Sequence, residues 1–119
     1  MSDIIRIGTD SRSSRVVIFN GIVHVTGLTA KDRTRDIQGQ TAEVLALIDD
    51  YLAQAGTDKS RLLTAQIWLK DIARDFKPMN EVWTAWTAPV AAPTRASAQC
   101  EMAAPDILVE IIVTAALPG

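Results

Sequence analysis

The stretch Pro93-Thr94-Arg95-Ala96-Ser97-Ala98-Gln99-Cys100-Glu101-Met102-Ala103-Ala104-Pro105-Asp106-Ile107-Leu108-Val109-Glu110-Ile111-Ile112-Val113 decides how the rest of the chain is read. Its second half, Ile107 to Val113, is apolar, rich in β-branched residues and interrupted by one charge, Glu110. Such a run predicts a strand buried on both faces. A carboxylate in the middle of it needs a partner, water or a task, because an isolated buried charge is costly. The first half, Arg95 to Met102, follows a proline and alternates small with polar residues, which predicts a second strand. Ala103-Ala104-Pro105-Asp106 reads as the turn between the two.

Paired as an antiparallel hairpin about that turn, the strands would set Glu110 roughly opposite Gln99. Arg95, Ser97 and Gln99 share one face through the two-residue repeat of a strand, so Arg95 and Glu110 would point to the same side of the sheet. They are not directly opposite, and meeting at one ligand would need their full side-chain length or a register shift. Taken alone, these residues favour a structural Arg–Glu pair or a rim arginine with Glu110 at a wet edge, since ion-pair networks mimic sites.

Working outward from this segment, Arg15 to Phe19 and Ile22 to Thr26 flank Asn20-Gly21, a strong hairpin signal because a type I′ turn needs positive φ at both central residues. Ile4 to Ile7 predicts a short edge strand before them. Thr26-Gly27-Leu28 ends the hairpin where a glycine permits close backbone approach. Thr29 to Asp36 is a charged loop without the glycine spacing of a phosphate cradle. Asp36 suits a helix N-cap, and Ile37, Thr41, Val44, Leu45, Ile48, Leu52 and Ala55 form one broad apolar face up to Gly56, a fitting C-terminal cap.

Arg61 to Leu69 predicts a strand with Leu63, Ala65, Ile67 and Leu69 on one face and Gln66 and Trp68 on the other. Asp71 to Arg74 reads as a turn, with Pro78 in the first turn of a second helix that packs Phe76, Met79, Val82, Trp83 and Trp86. Ala88 to Ala92 connects it to the final strands. Two helices can cover only one face of six strands, yet the strands are apolar on both sides, so association with further copies is expected.

Composition narrows the function classes. With 119 residues, 48% of them hydrophobic and 22% charged, the chain is expected to fold as one domain spanning residues 1–119. A net charge of −2 and the lack of a basic stripe give no electrostatic footing for nucleic acid. Met1-Ser2-Asp3-Ile4-Ile5-Arg6 lacks the basic start and apolar core of a signal peptide, and no apolar run reaches membrane-spanning length, so a cytoplasmic location is expected. The single cysteine, Cys100, rules out an internal disulfide and reads as a packed thiol. The single histidine, His24, cannot build a His-rich metal site and reads as structural or solvent-facing.

Pro93-Thr94-Arg95, followed fifteen residues after the arginine by Val109-Glu110-Ile111, resembles the C-terminal signature of the RidA/YjgF family, small enamine/imine deaminases also labelled endoribonucleases of the L-PSP type. The resemblance implies an α+β fold with two helices on one face of a six-stranded mixed sheet, like the small trimeric chorismate mutases. It implies a homotrimer with pockets between subunits. It also implies hydrolysis of 2-imino or 2-enamino acids to 2-oxo acids and ammonia, with Arg95 holding the substrate carboxylate and Glu110 orienting water or relaying a proton. Thr26, Gly27 and Ser97 would line the pocket, and Phe76 and Asn80 match an aromatic and an asparagine near it. No metal or organic cofactor is implied.

The chain departs from that pattern twice. A tyrosine in the loop before the second strand is replaced by Ser13, and a cysteine two residues after the signature arginine by Ser97. The one tyrosine, Tyr51, lies in the first helix. The alternative to an enzyme is a protein that binds a small carboxylate such as a 2-oxo acid in the same pocket without turnover. RNA cleavage has neither a basic groove nor a histidine pair behind it.

Overall fold

The computed structural model describes residues 3–119; the reading of the leader that includes Met1 and Ser2 lies partly outside them. The elements follow the expected order: β1 (Ile5–Ile7), β2 (Val16–Phe19), β3 (Ile22–Leu28), α1 (Ile37–Ala55), β4 (Leu62–Leu69), α2 (Ile72–Thr87), β5 (Thr94–Gln99) and β6 (Val109–Ala116). The six strands form one sheet in the order β1-β2-β3-β6-β4-β5.

Local chemistry explains the well-defined element ends. Asn20 and Gly21 take φ of 51° and 77°, as the β2–β3 turn requires, and the strands pair antiparallel from Val16↔Val25 to Phe19↔Ile22. Asp36 caps α1 by accepting from the Gly39 amide at 2.8 Å. Gly56 closes the helix in the left-handed region, φ 89°, where its lack of a Cβ removes the steric penalty.

The expected hairpin between the last two strands does not form. β5 pairs in parallel with β4, from Thr64↔Thr94 to Leu69↔Gln99, and β6 pairs antiparallel with β4 on its other side and with β3. The physical reason is the connection: parallel neighbours need a long crossover, and α2 provides it between β4 and β5. Ala103 to Asp106 does turn, but within the segment that carries the chain across β4. Glu110 therefore lies opposite Trp68, not Gln99.

Three smaller expectations also change. Asp71 accepts from the Arg74 amide at 3.1 Å and starts α2 at Ile72, so the anticipated turn is helical and Pro78 lies inside the helix. An internal proline removes the bond to the carbonyl four residues earlier at a cost of about 3 kcal/mol, which the burial of Met79 and Trp83 offsets. Leu63 is 41% exposed because the β4–β6 register shifts between Leu62 and Thr64, which puts Leu62 into the core instead. β3 continues through Thr26-Gly27 to Leu28, with a second register shift.

Both helices pack on one face. Ile18, Val25, Ile67, Leu69, Ile111 and Val113 from the strands meet Val44, Ile48, Leu52, Met79 and Trp83 from the helices in one core. The alternate residues form the other face, where β6 is only half-buried at Glu110, Ile112 and Thr114 and where Phe19 and Trp68 are 42% and 37% exposed. Among the described residues no helix is long and apolar enough to cross a membrane.

Candidate functional site: two half-sites on opposite faces

The register separates the two charged residues of the signature. Arg95 pairs with Ala65, which is buried under the helices, so its side chain stands on the helix face at the edge strand β5. Glu110 pairs with Trp68 and alternates with the buried Val109 and Ile111, so it stands on the open face. The expectation that both point to the same side is corrected, because β4 intervenes and sets each strand's phase independently.

On the helix face, α2 presents Phe76, Asn80 and Trp83 at spacings of four and three, one side of the helix. Asn80 Oδ1 accepts from Arg95 Nη1 at 2.7 Å. The guanidinium lies 5.8 Å from the Phe76 ring centre and 5.6 Å from that of Trp83, within cation–π range. Burial against these groups lowers the Arg95 pKa from its ordinary value, although an arginine remains charged. An open cavity of about 550 Å³ adjoins this cluster, lined by Phe76, Lys77, Asn80, Glu81 and Thr84. Ser97 follows Arg95 on the same face, and its buried hydroxyl has no hydrogen-bond partner among the described residues. Phe76, Asn80, Ser97 and Arg95 thus stand together on the helix face as one candidate half-site.

On the open face, Glu110 packs against the β3 bulge. Val25 pairs with Val113 and Leu28 with Ile111, so Thr26 and Gly27 together oppose the single residue Ile112. A Cβ on Gly27 would lie 3.2 Å from both the Glu110 carboxylate carbon and Ile112 Cγ1, with a carboxylate oxygen closer still. Only glycine admits Glu110 in this position. Burial raises the Glu110 pKa above its ordinary value of 4.5 because the charged form is penalised. Thr26 donates its amide to the Arg15 carbonyl at 2.9 Å, which ties the bulge to the β1–β2 loop. Ser13 lies in that loop, exposed, with its amide on Asp10 Oδ1 at 3.0 Å. Among the described residues no hydrogen bond joins its side chain to Glu110.

Neither charge has an ion-pair partner among the described residues. The ion pairs among the described residues are Arg33–Asp106, Arg74–Asp71 and Arg74–Asp75, and none includes Arg95 or Glu110. A partly desolvated cation and a partly desolvated carboxylate face opposite ways, each open to something outside the chain. Cys100 lies just past the end of β5 and His24 is exposed on the open face. Among the described residues no three His, Cys, Asp or Glu side chains gather as a metal would need. Trp83 is the residue that sequence reasoning assigned to packing alone; its place three residues after Asn80 was the available signal.

A mixed six-stranded sheet backed on one face by two helices, with an arginine at its edge and a glutamate on its open face that form no ion pair among the described residues, defines a small α+β domain. Similarity identifies which one. The family model described as endoribonuclease L-PSP matches residues 5–117. A RutC family protein of Haemophilus ducreyi is 44% identical over 114 residues, covering 96% of this chain and 97% of that one. The crystal structure of NMB1025, a YjgF family member from Neisseria meningitidis, superposes with a TM-score of 0.91 at 39% identity, covering 98% of this chain and 97% of the other. The chloroplastic Reactive Intermediate Deaminase A of Arabidopsis thaliana is 28% identical over 88 residues, which are 74% of this chain and 46% of that protein. The chain belongs to the RidA/YjgF family.

Proposed function

We propose that this protein is a 2-imino/2-enamino acid deaminase, a single cytoplasmic domain over residues 1–119 that acts as a homotrimer without a metal or organic cofactor. The observation that carries the reading is Arg95. It is held by Asn80 over two aromatic rings, is partly desolvated, and has no carboxylate partner among the described residues. A planar guanidinium fixed in this way is a receptor for a carboxylate, which it can bind through two parallel hydrogen bonds. A deaminase so named in Arabidopsis thaliana lends further support.

The Arg95 half-site of one copy is completed by the Glu110 half-site of a neighbour, because one chain cannot bring them together. The apolar open face, with Phe19 and Trp68 exposed, is the surface that association would bury. In the shared cleft Arg95 holds the substrate carboxylate, and Asn80 holds Arg95. Phe76, Ser97, Thr26 and Gly27 bound the reacting carbon, with Ser13 at the mouth. Glu110 takes a proton from water as its oxygen attacks the C=N carbon. It passes that proton to the nitrogen to give a carbinolamine, then relays the carbinolamine hydroxyl proton to the same nitrogen, which leaves as ammonia as the C–N bond breaks and the C=O of the 2-oxo acid forms. Burial raises the Glu110 pKa and so makes its carboxylate a stronger base for both steps than a fully hydrated one.

The test is a coupled assay in which an amino-acid oxidase generates imino acids and ammonia release is followed. Wild type accelerates hydrolysis, and Arg95→Ala loses about a hundredfold, the loss expected when one partner of a desolvated charge pair is truncated. Saturable 2-oxo acid binding with no acceleration for acidic, basic or apolar imino acids overturns the enzymatic reading in favour of a carboxylate-binding protein.

A further inference from the structure

A second cavity, of about 250 Å³, lies where the β2–β3 hairpin meets the middle of α1. Its wall includes Arg15, Gly27, Leu28, Lys31, Leu47 and Tyr51. Neither cation forms an ion pair among the described residues, and no described hydrogen bond engages the Tyr51 hydroxyl. Two cations, a phenol and two leucines around one small cavity are the components of a receptor for an amphiphilic anion.

The backbone that carries both cations is anchored. Arg15 donates its amide to Ile7 and accepts at its carbonyl from Thr26, both at 2.9 Å, so its backbone is tied on two sides. Its aliphatic stem lies against Gly8, where a Cβ would come within 2.7 Å of Arg15 Cγ. Gly8 has φ +65°, and the absence of a side chain there lets the stem pack in place. The Lys31 amide is held by the Glu43 carboxylate, which also accepts from the Asp32 amide at 3.3 Å. Glu43, Leu47 and Tyr51 follow at four-residue spacing on one side of α1, so the residue that fixes Lys31 stands beside those that line the cavity.

The acids close by are already engaged. Asp10, which feels the Arg15 charge, accepts the amides of Arg12 at 2.8 Å and Ser13 at 3.0 Å. Glu43 is used by the two amides of the loop. Among the described residues neither acid forms an ion pair with Arg15 or Lys31, so both cations can still meet an external anion, and Leu28 and Leu47 offer its apolar body a surface.

From this geometry we infer a second ligand site, for a small organic carboxylate with a branched or aromatic apolar body, at Arg15, Lys31 and Tyr51. It is separate from the Arg95 clamp, which stands on β5, and it borders the Glu110 half-site through Gly27. The site stands whether or not the protein is a deaminase.

The test is calorimetric titration with 4-methylpentanoate, which lacks any imino or oxo group, against its neutral amide, 4-methylpentanamide. The carboxylate binds saturably and about tenfold more tightly than the amide, as a charge-assisted contact implies. Arg15→Gln and Lys31→Gln each weaken it about tenfold, while Arg95→Ala leaves it unchanged. Leu47→Phe, which fills the cavity without altering charge, abolishes binding in a protein whose melting confirms folding. The site is refuted by absence of saturable binding, by equal affinity for the amide, by binding that survives the Arg15→Gln/Lys31→Gln double variant, or by loss of binding in Arg95→Ala.

Discussion

Arg95 and Glu110 belong to two regions built on different principles. The Arg95 region is a side-chain assembly: α2 carries Phe76, Asn80 and Trp83 to the edge strand, where they hold the guanidinium by one hydrogen bond and two ring contacts. The Glu110 region is a backbone assembly in which a β bulge sets Thr26 and Gly27 against Ile112 and leaves a space that glycine alone can share with the carboxylate. One region positions a charge by what touches it, the other by what is left out. Because the two stand on opposite faces, one copy of the chain cannot bring them to one ligand.

That contrast can be broken most severely at the glutamate. Glu110→Gln keeps the shape and removes the proton relay, so kcat for imino acid hydrolysis is expected to fall by about 10²-fold or more, with KM little changed. The same variant reports on the raised pKa. A carboxyl whose folded pKa lies above 4.5 supplies stability that is full below that pH and is lost as pH rises through the folded value. Melting curves from pH 4 to pH 7 should therefore show wild type losing stability relative to Glu110→Gln as the pH increases.

Gly27→Ala tests the backbone assembly alone. The new methyl displaces a carboxylate on a flexible side chain, so unfolding should cost only about 1 kcal/mol while activity falls about tenfold. Equal activity would mean that Glu110 need not occupy the space beside the bulge. The smallest change is expected at Ser97→Ala. Its hydroxyl is buried without a partner, so its removal should be neutral or stabilising by up to about 1 kcal/mol in denaturant unfolding.

The same contrast explains what could be read from the sequence. Asn20-Gly21, Asp36 and Gly56 mark their turn and caps because the cause lies within a few residues, and the structure has each of them there. The pairing of β5 and β6 has no such local cause. The two strands are close in sequence with a turn between them, and the insertion of β4 depends on an α2 crossover whose consequences are global. Pro78 misled for a related reason: a proline preference for the first turn is weaker than a capping aspartate seven residues earlier. At the site, the resemblance of Pro93-Thr94-Arg95 and Val109-Glu110-Ile111 pointed to the two charges, and the meeting of Arg95 with Asn80 and Phe76 is visible in the fold. Their separation onto two faces was not legible, since a one-residue change of phase inverts a strand.

The most direct measurement mixes two inactive proteins. Arg95→Ala and Glu110→Gln are co-expressed, or unfolded together and refolded, and imino acid hydrolysis is assayed. If each site takes Arg95 from one copy and Glu110 from the next, about three in four trimers are mixed and each regains about one site in three, so activity returns to about a quarter of wild type. A mixture as inactive as either variant alone would place both residues of each site in the same copy and contradict the shared cleft.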